Sequence, residues 1–165
     1  MADTRQIILV RALVNGFPVM GALEGFSAPS VEKSTEGNKG GRFVGYETVV
    51  GAEVSDWTLT LSGASPELIE SMGDGEGAEV TVMESIKGDD GSKVPRQHQM
   101  SGEVTKAELG EIKPGKEGLT LSGSPYAYTL TENGKVIHDI NAKTQKCVVG
   151  GKDLLEDARR HVDLA

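Results

Sequence analysis

The chain has 165 residues and a mass of 17.4 kDa, the size of one domain, since single domains cluster at roughly 100–150 residues. With 25 Asp and Glu against 17 Lys and Arg, a net charge of -8 argues against a protein that coats nucleic acid, which needs clustered cations on the phosphates. The single Cys147 excludes an internal disulfide framework and a multi-Cys zinc site, and no apolar run approaches the ~20 residues of a bilayer span.

The opening MADTRQIILV carries too short an apolar stretch for a secretory leader, so synthesis in the cytoplasm and no membrane partner are expected. Ile7 to Val14 is rich in β-branched and aliphatic residues on both parities, which predicts a strand covered on both faces. Asn15-Gly16 supplies the two positive φ angles of a tight hairpin turn, and a second strand is expected from Phe17 to Ala22. The stretch VEKSTEGNKGGRFVG that follows has four Gly and three cations without apolar alternation. It reads as a long surface loop, at about 33–46 in a single domain spanning 1–165.

Glu53 to Ser62 alternates, with Trp57, Leu59 and Leu61 on one parity and Asp56, Thr58, Thr60 and Ser62 on the other. One face is therefore core and the other wet. Ser65 as N-cap, Pro66 and Glu67 open a short helix whose apolar side is Leu68, Ile69 and Met72, with Gly73 as its stop. Further strands are predicted at Glu79–Lys87, Val94–Lys106, Leu119–Thr131 and Lys135–Lys143, with Asn133-Gly134 turning between the last two. Asp153 and Glu156 fit a capping box, and Leu155, Ala158 and Val162 share one face of a C-terminal helix. Gly, at 22 residues, sits at turn positions, and aromatics make up only 4%. The pattern is a mainly β fold of short strands joined by tight turns.

No catalytic constellation emerges, so the chain is not expected to be an enzyme. Gly110 to Lys116 (GEIKPGK) resembles a P-loop, but Glu117 stands where Ser or Thr would bind the metal. The stretch also lies between two strand-like segments, which makes a turn the better reading. The Gly-rich run Gly73 to Gly77 follows a helix instead of opening one, and its two acids would repel a pyrophosphate. His98, His138 and His161 lack metal-ligand spacing to one another or to Cys147, which reads as a small buried thiol, so no metal and no cofactor are expected. Between Glu67 and Asp90 there are eight acids against Lys87 alone. This is either a solvated face that aids solubility or a surface that must not adhere to phosphate.

Four blocks in order resemble the major tail tube proteins of contractile-tailed phages: LVNGFPVMGALEGFSAPSVE, TLTLSGASPELIESMG, GEVTKAELGEIKPGKE, and YAYTLTENGKVIHDINAKTQKCVVGGKDLLEDARRHVDL. The loop text TEGNKGGRFVGYETVVG and the segment SAPSVE depart from the family pattern. The resemblance implies an antiparallel β-barrel or sandwich with one short flanking helix and a C-terminal helix. In that family such protomers join edge to edge into a larger inner barrel, closing exposed edges. It further implies hexameric rings stacked into a hollow tube in the virion tail. Partners would be other copies, tail sheath, baseplate, tape-measure and tail terminator proteins, and DNA would pass through without specific binding. On parity, Asp56, Thr58, Thr60, Ser62, Glu79, Thr81 and Ser85 are the expected lumen residues, and Lys39, Arg42, Phe43 and Tyr46 the expected inter-ring contacts. The alternatives are the inner tube of a related injection or secretion device and, more remotely, a monomeric β-sandwich binding module, for which exposed aromatics are few.

Overall fold

Residues 4–19 and 22–164 are described in the computed structural model. In chain order they form β1 (Gln6–Val14), β2 (Phe17–Pro18), β3 (Leu23–Ser27), β4 (Val31–Asn38), β5 (Tyr46–Val54), β6 (Trp57–Leu61), α1 (Pro66–Glu70), β7 (Glu79–Lys87), β8 (Lys93–Leu109), β9 (Leu119–Glu132), β10 (Lys135–Asn141), β11 (Lys146–Val149), β12 (Lys152–Asp153) and α2 (Glu156–His161). Every pairing is antiparallel, and the main sheet runs β12-β11-β10-β9-β8-β7-β1-β2.

The long strand β9 organises the molecule because its two halves have different neighbours. Leu119–Gly123 pairs with β6 and Ala127–Glu132 with β10, while β8 follows it along both halves. A bulge at Tyr126 of β9, opposite Ser101 and Gly102 of β8, bends the pair between those halves. The run β3-β6-β9-β8-β7-β1 therefore curls around one core, in which Trp57, Leu59, Leu61, Val80, Val82, Met100, Leu121 and Tyr128 are all at most 2% exposed. Gly123 lies beneath the Trp57 ring so closely that a Cβ there would stand 2.4 Å from Cζ2. Helix α1 adds the buried Leu68 to the same core and continues as a 3-10 segment, Ser71–Gly77. The barrel is incomplete, since β1 and β3 do not pair with each other.

Both predicted hairpin turns form, with positive φ at Asn15 and Gly16 and at Asn133 and Gly134. The alternation in β6 and the strands β7 to β10 agree with the sequence reading to within a few residues. Five expectations need correction. The segment 33–46 is mostly strand, and only Lys39–Gly45 stays irregular. A hairpin with water on both sides needs no apolar alternation, so its pattern is silent. The continuous strand Glu53–Ser62 breaks at Ser55 and Asp56, between β5 and β6. The predicted second strand Phe17–Ala22 ends at Pro18, Met20 and Gly21 lie outside the described residues, and the chain resumes as β3.

The helix does not stop at Gly73. It tightens into the 3-10 turn, where Gly75 at φ 60° breaks the helical geometry, and Ile69 and Met72 stay over a third exposed. Finally, β1 is not covered on both faces: Ile7, Ile8 and Leu9 are 52%, 46% and 56% exposed. The apolar parity was real, but this chain supplies no layer to cover it.

Candidate functional site

Five of the seven expected lumen residues, Thr58, Thr60, Glu79, Thr81 and Ser85, come from two strands that are not neighbours, and the fold sets them on one side of the sheet. Directly paired residues share a face. Thr58 pairs with Ser122 and Thr60 with Thr120, and the Thr58 and Ser122 hydroxyls lie 3.5 Å apart. Thr81 pairs with Gln99, which pairs with Thr129, whose hydroxyl donates to Asp139 at 3.4 Å. Glu79 and Ser85 extend the row beside Ser101 and Pro95. All of these point away from the buried cluster. β6 and β7 are linked through β9 and β8, so the wet side runs on without a break, rich in hydroxyls and amides but also carrying Met83 beside Gln97, Lys106 beside Ser122 and Glu108 beside Thr120.

Sequence reasoning missed the contributions of β8 and β9, including Gln97, Gln99, Thr120, Ser122, Thr129 and Thr131. On β9 the parity is legible only once the bulge at Tyr126 is known, because it switches the core-facing residues from Leu119 and Leu121 to Tyr128, whereas β8 keeps one parity from His98 to Val104. Asp56 sits outside the ladder in the bend before β6, exposed. Ser62 lies just past β6, its amide and hydroxyl both bonded to the Ala22 carbonyl, at 2.7 and 3.3 Å. The acids between Glu67 and Asp90 do not form one surface. Four lie on α1 and the 3-10 segment, two in the β7–β8 turn, and Glu84 points inward. Of the eight, Glu79 alone is on the wet face.

The hairpin β4–β5 stands apart as its own two-stranded sheet. At its root the Ser30 amide donates to the Ser55 hydroxyl at 2.7 Å, and the Ser55 amide to the Ser30 carbonyl at 2.9 Å. Thr35 donates to Glu47 at 3.1 Å across the strands. The tip carries Lys39, Arg42, Phe43 at 97% exposure and Val44 at 73%. The Arg42 guanidinium lies 5.1 Å from the centroid of the Tyr46 ring, a cation–π contact. The four expected inter-ring residues are thus gathered at and beside one tip.

Beneath the gap between β1 and β3 lies a polar group that the sequence did not suggest. The Glu84 carboxylate accepts from Arg96 Nε at 2.5 Å and from His98 Nε2 at 3.0 Å, and His98 Nδ1 lies 2.8 Å from the Tyr128 hydroxyl. The Glu84 and His98 side chains are only 7% and 6% exposed. Burial alone would raise the Glu84 carboxyl, but the His98 and Arg96 hydrogen bonds outweigh it and hold the group at about 2. Burial pushes the Tyr128 hydroxyl up to about 12. Glu84 is thus a charged hub, with every buried polar atom of the group engaged.

Cys147 is buried in β11, where desolvation raises its thiol. His138 accepts from the Gly150 amide at 3.3 Å. The GEIKPGK stretch forms the β8–β9 connection, closed by the Gly110 amide on the Gly118 carbonyl at 2.9 Å. Helix α2 buries no residue, and Asp153, instead of capping it in a box, holds Arg159 at 2.6 Å. Among the described residues no group of three His, Cys, Asp or Glu side chains is placed to hold a metal ion, and no helix is long and apolar enough to cross a membrane.

Comparison with solved structures finds similar folds in an anti-feeding prophage baseplate, an extracellular contractile injection system and Hcp1. A chain of the anti-feeding prophage baseplate, from a six-fold symmetrised reconstruction, is similar with TM-score 0.55 and 15% identity, covering 79% of this chain and 94% of that one. A chain of the sheath–tube complex of an extracellular contractile injection system matches with TM-score 0.58 and 11% identity over 74% and 88%. Hcp1 from Flavobacterium johnsoniae matches with TM-score 0.53 and 16% identity over 76% and 98%. At these identities the likeness is one of fold. No curated protein matches the sequence. The model of the phage tail tube protein FII family, by contrast, matches residues 4–162, nearly the whole chain. With that span matched and the fold in agreement, the chain belongs to the phage tail tube protein FII family and is a structural tail tube subunit.

Proposed function

We propose that six copies of this chain form a ring, that rings stack into the hollow tube of a phage tail, and that the genome passes through its bore. The observation that carries this reading is the wet sheet face, where Thr58, Thr60, Thr81, Ser85, Gln99 and Thr129 lie on one side of the fold. A field rich in hydroxyls and amides, on which Lys106 is held in an ion pair with Glu108, gives passing phosphates no cation cluster to hold them, so DNA slides without adhering. Glu79 adds repulsion on that face, and Asp56 adds it at the edge. Protomers close side by side through the sheet edges that one chain leaves open, chiefly β8 from Glu103 to Leu109, where β7 no longer accompanies it. The hairpin tip, with Lys39, Arg42, Phe43 and Tyr46, contacts the next ring. The chain works as one domain, without enzymatic activity, in the virion tail after synthesis in the host cytoplasm. Outside the tube, tail sheath, baseplate, tape-measure and tail terminator proteins complete the assembly.

The inner tube of a related injection device is the second reading. Similar structures, such as a chain of the sheath–tube complex of an extracellular contractile injection system, favour it, and a bore without a cation cluster suits protein cargo too. Electron microscopy of concentrated protein tests tube formation, with hollow tubes of six-fold rings expected. Only small monodisperse particles, even with sheath and baseplate proteins added, would contradict it. DNA inside tubes of assembled particles decides between the two cargoes.

A further inference from the structure

Four dipeptides in this chain have the chemistry to form a cyclic imide: Asn15-Gly16, Asp74-Gly75, Asp90-Gly91 and Asn133-Gly134. A glycine carries no Cβ to shield its own amide nitrogen, which can therefore attack the side-chain carbonyl carbon of the Asn or Asp before it. Three of the four side chains are tied down. The Asn15 carboxamide accepts from the Glu79 amide at 2.7 Å and donates to the Asp74 carboxylate, a bond that engages two of the dipeptides at once. The Asp90 carboxylate accepts from the Ser92 amide at 2.9 Å and from the Ser92 hydroxyl at 2.6 Å. Asn133 differs. It is exposed, and its carboxamide makes no hydrogen bond among the described residues.

The two Asn-Gly turns control for one another. Asn15 and Gly16 have φ of 49° and 82°, and Asn133 and Gly134 have φ of 50° and 78°. Each turn joins directly paired strand ends, Val14 with Phe17 and Glu132 with Lys135. Each is also anchored to a third strand through its Asn amide, which donates at 2.8 Å to the Glu79 carbonyl in the first turn and to the Pro95 carbonyl in the second. Backbone shape and backbone anchoring therefore match. Only the fastening of the side chain separates the two.

We propose that Asn133 is a site of spontaneous deamidation and that Asn15 is protected from it. The Gly134 nitrogen gives its proton to water and bonds to Asn133 Cγ, while the carboxamide nitrogen takes up a proton and leaves as ammonia. A water molecule then opens the cyclic imide. Addition at Cγ breaks the new bond and leaves Asp; addition at the main-chain carbonyl breaks the original peptide bond and leaves isoAsp. Nothing is oxidised or reduced, and water is the co-reactant. Either product adds one negative charge to a chain already at -8, next to Glu132. The isoAsp form also inserts a carbon into the two-residue turn that sets the Glu132–Lys135 register, so the β9–β10 hairpin loses its fixed end.

The test is peptide mapping by mass spectrometry after the folded protein has been incubated in mildly alkaline buffer, with ion exchange to collect the acidic form. Asn133 should convert at least ~10-fold faster than Asn15, the factor set by ~1.4 kcal/mol of side-chain hydrogen bonding. In denaturant, which removes every tether, the two sites should convert at like rates. Asp74→Ala should speed conversion at Asn15 and leave Asn133 unchanged. Asn133→Gln, whose longer side chain would have to close a larger ring, should remove the acidic form. Folded protein that converts both sites at like rates overturns the protection of Asn15. Folded protein that converts neither, while the unfolded chain converts both, overturns the reactivity of Asn133.

Discussion

Glu84 links sequence to stability through one carboxylate. Its folded value of about 2 lies below its ordinary 4.5, so the folded state binds this proton less readily than the unfolded chain does. The stability it contributes is complete above pH 4.5 and is lost as pH falls from 4.5 towards 2. Thermal melting followed across that range should show the loss, and Glu84→Gln should flatten the profile there. Glu84→Ala strips Arg96 and His98 of their shared partner and should cost roughly 3 kcal/mol, read from denaturant unfolding. At Gly123 the constraint is steric. A methyl would meet the Trp57 ring at 2.4 Å, so Gly123→Ala should destabilise by about 1–3 kcal/mol, whereas Gly41→Ala at the open hairpin tip should be neutral within ~0.5 kcal/mol. The buried network was not legible in the sequence. Arg96, His98 and Tyr128 alternate in β8 and β9 like ordinary strand residues, and only the pairing of β7 with β8 and of β8 with β9 brings them to Glu84.

Among elements, legibility followed periodicity and turn chemistry. Asn-Gly turns and alternating strands were read correctly because they are local, with hydrogen bonding and parity fixed within a few residues. Trp57, Leu59 and Leu61 are buried as their alternation required. The β4–β5 arm was not legible, since a hairpin wet on both sides leaves no apolar signature, and neither were β11 and β12, which are four and two residues long. Because the arm leans on the barrel only at its root, it can be shortened without touching the core. Replacing Lys39–Gly45 by an Asn-Gly turn should leave the melting temperature of the monomer nearly unchanged while abolishing tube growth, as seen by calorimetry and electron microscopy. Tubes of ordinary length from that variant would remove the arm from the stacking account.

At the scale of the whole molecule, the features without partners define the assembly. One polar sheet face, one long arm, one apolar gap between β1 and β3 and a stretch of β8 edge without a second strand partner make little sense in an isolated protein and fit a subunit surrounded by copies of itself. The wet face was half legible: parity in β6 and β7 marked its ends, and the bulge between β8 and β9 hid its middle. Charge on this face should tune transport and leave assembly alone. Asp56→Lys with Glu79→Lys should give tubes of normal appearance that release DNA several-fold more slowly, measured as ejection kinetics from particles, because added cations hold passing phosphates. Unchanged kinetics would place those two residues away from the DNA path. The most direct test is a cryo-electron microscopy reconstruction of the tube, read for the face that lines its bore. The account predicts a bore lined by the Thr81–Gln99–Thr129 row together with Thr58 and Ser122. A bore lined by α1 or by the α2 surface, with that row facing outward, would contradict it.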